Sequence, residues 1–202
     1  MKLYDSQMAP NPRRVRIFLA EKGVTVPTVQ VDLGKAENRQ PPFLAKNPLA
    51  GVPVLELDDG TFLAESVAIC RYFEELQPAP PLLGVDARDR AIVEMWQRRM
   101  EQEVLRNVTG CFQNTHEFFK GRIEQVPEYG AVCKRTALKR LEWLDGELAA
   151  RPFVAGDRYT IADVTALCAI DFGRVTGIRP LPEQKHLVRW HEAVSARPSA
   201  KA

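Results

Sequence analysis

Apolar and polar positions change rhythm once along this chain, near residue 78. Before that point short alternating runs are interleaved with helical stretches. Lys2 to Tyr4 predicts a strand, and Pro12 to Lys22 predicts a helix with Pro near its first turn, Val15, Phe18 and Leu19 on one face and Gly23 as its stop. Thr28 to Val31 supplies a second strand, so strand, helix and strand make one right-handed parallel crossover. A short helical or irregular segment covers Pro42 to Ala45. Val52 to Leu57 and Thr61 to Ala64 then flank Asp58-Asp59-Gly60, and Asp-Gly between two apolar runs signals a hairpin. A helix from Ser66 to about Leu76 closes this half.

Pro78, Pro80 and Pro81 cannot continue that helix, so residues 78–85 read as a short stiff linker. Beyond it the pattern is helical throughout. Val93, Trp96, Met100, Val104, Val108, Cys111 and Phe112 recur at three- and four-residue steps along one long helix beginning near Asp86. A second helix covers roughly Tyr129 to Ala149, with Leu138, Leu141 and Leu148 inward, and Arg151-Pro152 and Gly156 break it. Thr160-Ile161-Ala162-Asp163 has the form of a capping box, in which Thr160 accepts from the helix amides and Asp163 reaches back to the Thr160 amide. A last helix runs from near Pro182 to Ala196. The expected organisation is an α/β domain over 1–77, the linker, and an all-α domain over 86–202.

Composition narrows the function classes. With 202 residues, 45% of them apolar, the chain can fill a real core, and neither repeats nor low-complexity segments interrupt it. Its 28 Lys and Arg against 26 Asp and Glu give a formal +2 without long blocks of one sign, which argues against a dedicated nucleic-acid binder. Cys70, Cys111, Cys133 and Cys168 stand far apart with no zinc-ligand spacing, so neither a disulfide scaffold nor a metal site is expected, and a reducing cytoplasm suits them. Met1 to Asp5 leads straight into strand-like sequence without an apolar leader, and no apolar run reaches the roughly 18 residues needed to span a bilayer. A soluble cytoplasmic protein is the expectation.

The chemistry-bearing segments are Gly51-Val52-Pro53-Val54-Leu55-Glu56 and Leu63-Ala64-Glu65-Ser66-Val67-Ala68-Ile69. A Pro opening a strand donates no amide, and a cis bond there is a recognised device. The Val52 main chain is then left for an extended peptide laid alongside as an added strand. Glu65-Ser66 opens a helix, where free amides, a hydroxyl and the positive end of the dipole suit a carboxylate. Together they describe a site for a small acidic peptide.

These segments, with Gly156, Asp157, Thr160, Ala162 and Asp163 in the second half, make the chain resemble the cytosolic glutathione S-transferases over nearly its whole length. The resemblance implies a thioredoxin-like N-terminal domain, an all-helical C-terminal domain, a homodimer and glutathione as the bound peptide. By position, Val52 would hold the cysteinyl backbone, Pro53 would be cis, and Glu65 and Ser66 would take the γ-glutamyl amine and carboxylate. Counting back from Asn47-Pro48, Asn38, beside Arg39, falls where many relatives carry a His at the glycyl end.

A free thiol has a pKa near about 8.5, so such an enzyme must stabilise the thiolate with donors near the start of the first helix. Relatives place a Tyr, Ser or Cys in this loop, but aligning Asp5-Ser6-Gln7-Met8-Ala9-Pro10-Asn11-Pro12 puts Ala9 at that position. Asn11 is the first candidate donor, as in bacterial relatives with Pro-Asn here, and capping of the first helix is its rival account. Ser6 is second, and a water held by backbone amides is third, as in a fungal and bacterial branch sharing Val-Pro-Val-Leu-Glu-Leu-Asp-Asp-Gly. With no Cys in the loop, chemistry through a protein mixed disulfide is not expected. Met8, Met100, Asn107, Cys111, Asn114 and Thr115 are the candidate lining of the electrophile site, although Met100 and Cys111 also suit a core. Arg13, Arg14 and Arg16 read as a solvated face, His116 as a packing or surface residue, and Asp163 as structural.

The expected activity is addition of the glutathione thiolate to hydrophobic electrophiles, a detoxification chemistry with glutathione as substrate and no metal or prosthetic group. A glutathione-dependent disulfide reductase or peroxidase is one alternative. A non-catalytic docking module on the same fold is another, since folds outlive their chemistry.

Overall fold

Leu3, Leu55 and Leu63 lie in register across three strands and fix which face of the N-terminal sheet turns inward. The strands are β1 (Lys2–Asp5), β2 (Thr28–Gln30), β3 (Val54–Glu56) and β4 (Phe62–Ala64). They pair in the order β2-β1-β3-β4, with β1 and β2 parallel and the other pairs antiparallel. This computed structural model describes all residues, 1–202, and divides into two units: Met1–Leu82 with Lys201–Ala202, and Leu83–Ala200.

In the first unit, α1 (Pro10–Lys22) connects β1 to β2 and ends at Gly23, whose φ of 66° allows the left-handed turn that stops the helix. Val24 donates back to Leu19 at 3.0 Å to close that turn. The helix starts two residues earlier than expected, because Pro10 at its first position has no amide to satisfy and presets φ. α3 (Ser66–Leu76) buries Ser66, Ile69, Cys70, Phe73 and Glu74 and packs on α1, β3 and β4. On the other side of the sheet α2 (Pro41–Leu44) inserts Phe43 into a cluster with Val31, Val54, Tyr4 and Phe62. The Asp58-Asp59-Gly60 hairpin is present, with Leu57 donating to Thr61 at 2.8 Å. Lys22, buried at the end of α1, pairs with Glu74 and donates to the Pro78 and Pro80 carbonyls, so the proline segment is tied to this unit.

The second unit is helical. α4 (Ala87–Arg99) is capped by Asp86, whose side chain accepts from the Asp89 amide at 2.9 Å. It runs without a break through a π-helical stretch, Met100–Leu105, into α5 (Arg106–Thr115). α6 (Pro127–Glu147) lies against α5, and close approach is possible because Gly110 and Gly130 have no Cβ. A Cβ on Gly130 would come 2.5 Å from Thr115 and one on Gly110 2.9 Å from the Cys133 sulfur. α7 (Ile161–Gly173) is buried almost throughout, and α8 (Lys185–Ser195) packs on α6 and α7. No helix is long and apolar enough to cross a membrane.

Asp163 anchors this unit. The capping box is complete, with the Thr160 amide donating to Asp163 Oδ2 at 2.9 Å. Oδ1 accepts from the Val154 amide and from Trp190 Nε1, both at 2.8 Å, so one carboxylate joins α7, α8 and the turn before α7. Burial pushes its pKa up to about 6, against the opposing pull of those donors. The folded state therefore holds this proton more tightly than the unfolded chain. The resulting contribution to stability is full below about pH 4, declines as pH rises towards 6, and is level above it. Side-chain carboxyl NMR should show Asp163 titrating near 6 in the folded protein. Asp163→Asn, which keeps one acceptor oxygen for donors that now share two, should cost about 1–3 kcal/mol per stranded donor by urea unfolding.

Candidate functional site

Val52 stands two residues before the first paired position of β3, and its bond to Pro53 is cis. None of the hydrogen bonds in the chain uses the Val52 amide or carbonyl. The loop leading to it is held by asparagines. Asn47 Nδ2 donates to the Gly51 carbonyl at 2.9 Å, its Oδ1 accepts from the Leu49 amide at 3.1 Å, and Asn38 Nδ2 donates to the Ala50 carbonyl at 2.8 Å. Asn38, expected at the glycyl end of the peptide, is thus committed through Nδ2 to shaping the Val52 loop.

Glu65 is the residue before α3 and sits exposed at φ 67°, ψ 113°, a conformation that L side chains rarely adopt. Its carbonyl accepts from Ile69 at 3.0 Å, so the amides of Ser66, Val67 and Ala68 have no partner within the helix. Ser66 is 5% exposed, and its Oγ accepts from Arg14 Nη1 at 2.8 Å. The two segments singled out in the sequence therefore lie in one unit, joined by β3 and β4, whose Val54 and Ala64 are directly paired.

Arg14 and Arg16 correct the solvated-face reading. Arg14 shares the inward face of α1 with Ile17 and Phe18, is 1% exposed, and carries its charge to Ser66 on an apolar stem. Arg16 Nη1 donates to the buried Asp5 at 2.5 Å and Nη2 to the Gln7 carbonyl at 3.1 Å, while Gln30 holds the other Asp5 oxygen at 2.7 Å. These bonds brace the loop from β1 to α1. Sequence reasoning missed both residues; the available signal was Arg14 at the same helical phase as Phe18, four residues on.

In that loop Ser6 is 8% exposed and its carbonyl accepts from Ala9 at 3.0 Å. Ala9 occupies the cap of α1 with no side-chain bond, and Asn11 is the second helical residue, so Asn11 is not the cap. Its side chain is exposed and makes no hydrogen bond within the chain. Pro10 and Pro12 lack amides, which leaves Asn11 N–H as the one main-chain donor among the first three helical positions. Asn11 thus presents a free amide and a free carboxamide at the positive end of the helix dipole. Met8, in the same loop, is 86% exposed.

The expected electrophile lining in the helical unit is revised. Met100 and Cys111 are 0% and 2% exposed and belong to the core with Val93, Val104 and Val108, so they line no open site. Asn107 Nδ2 donates to the Glu103 carbonyl at 2.8 Å. Asn114 and Thr115 donate to the carbonyls four residues back, and Asn114 Oδ1 accepts from the Val126 amide at 2.9 Å, which fastens the corner between α5 and α6. His116 Nδ1 accepts from the Phe118 amide at 3.1 Å and its ring lies against Phe112, a packing role as expected. All four cysteines are buried and free. An open groove of about 360 Å³ lined by Arg99, Glu103, Arg140, Trp143 and Glu147 lies in this unit but contains none of the candidate residues. Glu103 pairs there with Arg140 and Glu147 with Arg151, each at 2.8 Å, while the Arg99 guanidinium lies over the Trp96 ring.

The backbone at Glu65 is held against its own preference, which is a mark of functional sites. Glu65→Gly should relieve about 1–3 kcal/mol of strain against a chain-entropy cost of about 0.5–1 kcal/mol, giving a small rise in melting temperature by calorimetry.

The sequence model of the glutathione S-transferase N-terminal domain matches residues 1–75, and that of the C-terminal domain matches 110–198. The chain is 37% identical over 205 residues to glutathione S-transferase 2 of Saccharomyces cerevisiae, covering 100% of this chain and 88% of that protein. It is 30% identical over 208 residues to glutathione S-transferase F9 of Arabidopsis thaliana, covering 100% and 94%. Among solved structures, Gtt2 from Saccharomyces cerevisiae superimposes with a TM-score of 0.95 at 36% identity, covering 100% of this chain and 99% of that one. A glutathione S-transferase domain-containing protein of Marinobacter aquaeolei VT8 gives 0.94 at 40% identity, covering 98% and 99%. Two domain models across most of its length, and relatives matched from end to end, mean that the chain belongs to the glutathione S-transferase family.

Proposed function

We propose that this protein binds glutathione along Val52 and at the start of α3, and transfers its thiolate to hydrophobic electrophiles, working as a homodimer with no resident cofactor. The observation that carries this reading is the unpaired Val52 main chain in the same unit as Ser66, whose hydroxyl is braced by a buried guanidinium. An extended peptide can pair its cysteinyl amide and carbonyl with Val52 while its γ-glutamyl carboxylate meets the Ser66 hydroxyl and the free amides behind it. The loop from Ser6 to Asn11 follows β1, which pairs with β3, and supplies the donors for sulfur.

The chemistry asked of the protein is modest. The thiol proton leaves to solvent, the thiolate sulfur forms a bond to the electrophilic carbon, and in a haloarene the halide departs with the electron pair. At pH 7 a thiol of pKa about 8.5 is only a few per cent ionised, so lowering it by about two units makes the nucleophile predominant. Asn11 is the favoured donor, with its carboxamide and amide both unengaged at the helix start. Ser6 is the second. The buried state of every cysteine favours conjugation over thiol exchange through the protein.

Two measurements test this. Calorimetry should show glutathione binding, and a chloronitroarene should be turned over faster than a small disulfide. Binding without either activity would promote the docking module, and preference for the disulfide would promote the reductase. In the complex, Asn11→Ala should raise the pKa of bound glutathione by about one unit, read from thiolate absorbance. An unchanged titration curve would pass the role to Ser6.

A further inference from the structure

We infer that Arg14 is a positioning residue for glutathione, acting through Ser66 to select a ligand with a free α-carboxylate at its γ-glutamyl end; this deepens the reading above and rests on it. A serine hydroxyl has one proton and accepts through oxygen lone pairs. In this structure Ser66 Oγ accepts from Arg14 Nη1 at 2.8 Å, so the hydroxyl proton is released for an acceptor elsewhere. The acceptor that suits it lies at the opening of α3, where the Ser66 and Val67 amides also have no helical partner. An anion there accepts a hydrogen bond from the hydroxyl, further bonds from the amides, and the field of a cation 1% exposed, which burial shields from solvent screening.

Geometry favours this over a structural brace alone. Arg14 comes from α1 and Ser66 from α3, 52 residues apart, so the bond fixes the hydroxyl relative to the thiol loop that precedes α1. Arg14 is the one arginine among the buried charged residues of the chain, whereas Arg16 is less buried and braces Asp5 and Gln7. A hydroxyl polarised by a cation is a stronger donor to a carboxylate than to a neutral group. Selection should therefore appear as discrimination between glutathione and the same peptide lacking the carboxylate.

The experiment measures affinity by calorimetry for glutathione and for 4-aminobutanoyl-cysteinylglycine, which keeps the chain and loses the α-carboxylate. The proteins are wild type, Arg14→Lys, Ser66→Ala and the double variant. Arg14→Lys should weaken glutathione about tenfold or more, leave the analogue's affinity within about twofold, and add little once Ser66 is alanine. Equal losses for both ligands, or a full loss retained in the Ser66→Ala background, would reduce Arg14 to a structural brace and overturn the inference. No loss at all would do the same. If circular dichroism shows that Arg14→Lys does not fold, wild-type protein labelled with 15N-arginine decides. The exchange-protected guanidinium signal of the buried arginine should move on adding glutathione and stay in place with the analogue, and a signal indifferent to glutathione would overturn the inference. Wild type that binds neither ligand would remove the glutathione reading itself, an outcome distinct from loss of discrimination.

Discussion

An unpaired stretch of main chain beside a sheet is the constraint around which the N-terminal unit is organised. Main-chain donors and acceptors near a folded core carry a cost when they are left without partners, and the sequence spends several residues on keeping Val52 in that state. Pro53 withholds an amide, Asn38 and Asn47 fasten the preceding loop by its carbonyls, and the ladder of β3 begins only at Val54. The same sheet, through β4, delivers Glu65 and Ser66 at the mouth of α3. An extended peptide with an acidic end, as proposed above, would satisfy both the strand edge and the helix start.

The arginines of α1 turn that arrangement into a rigid one. Arg14 reaches the serine, and Arg16 holds the loop after β1 by Asp5 and Gln7. One helix therefore fixes both the hydroxyl at the start of α3 and the loop after β1, and in the proposed binding mode a shift of either would misalign the nucleophile. The helical unit is stiffened by different means: Asp163 gathers four donors in its interior, and Asp89 takes a bidentate grip from Arg158 while accepting from Val85. The Arg158 guanidinium holds the Asp89 carboxyl below its usual range.

What could be read in the sequence was whatever depends on neighbours in the chain. Gly23 as a helix stop, the Asp58-Asp59-Gly60 hairpin and the Thr160–Asp163 box are each decided within a few residues, and each is found in the fold. The cis bond at Val52-Pro53 and the helix start at Glu65-Ser66 were legible because both are local motifs. Arg14 was not, since its partner lies 52 residues away and a run of arginines looks solvated until its helical phase is compared with Phe18. Met100 and Cys111 failed for another reason. Period identifies which residues share a face but not whether that face meets solvent or core, and theirs meets the core. The π-helical turn at Met100–Leu105 has no signature in spacing that separates it from ordinary helix.

A crystal structure of the protein saturated with glutathione tests the central claim most directly. The cysteinyl amide and carbonyl should pair with the Val52 carbonyl and amide, and the γ-glutamyl carboxylate should lie within about 3 Å of Ser66 Oγ. Glutathione bound elsewhere, or a Val52 main chain still unpaired at full occupancy, would contradict it.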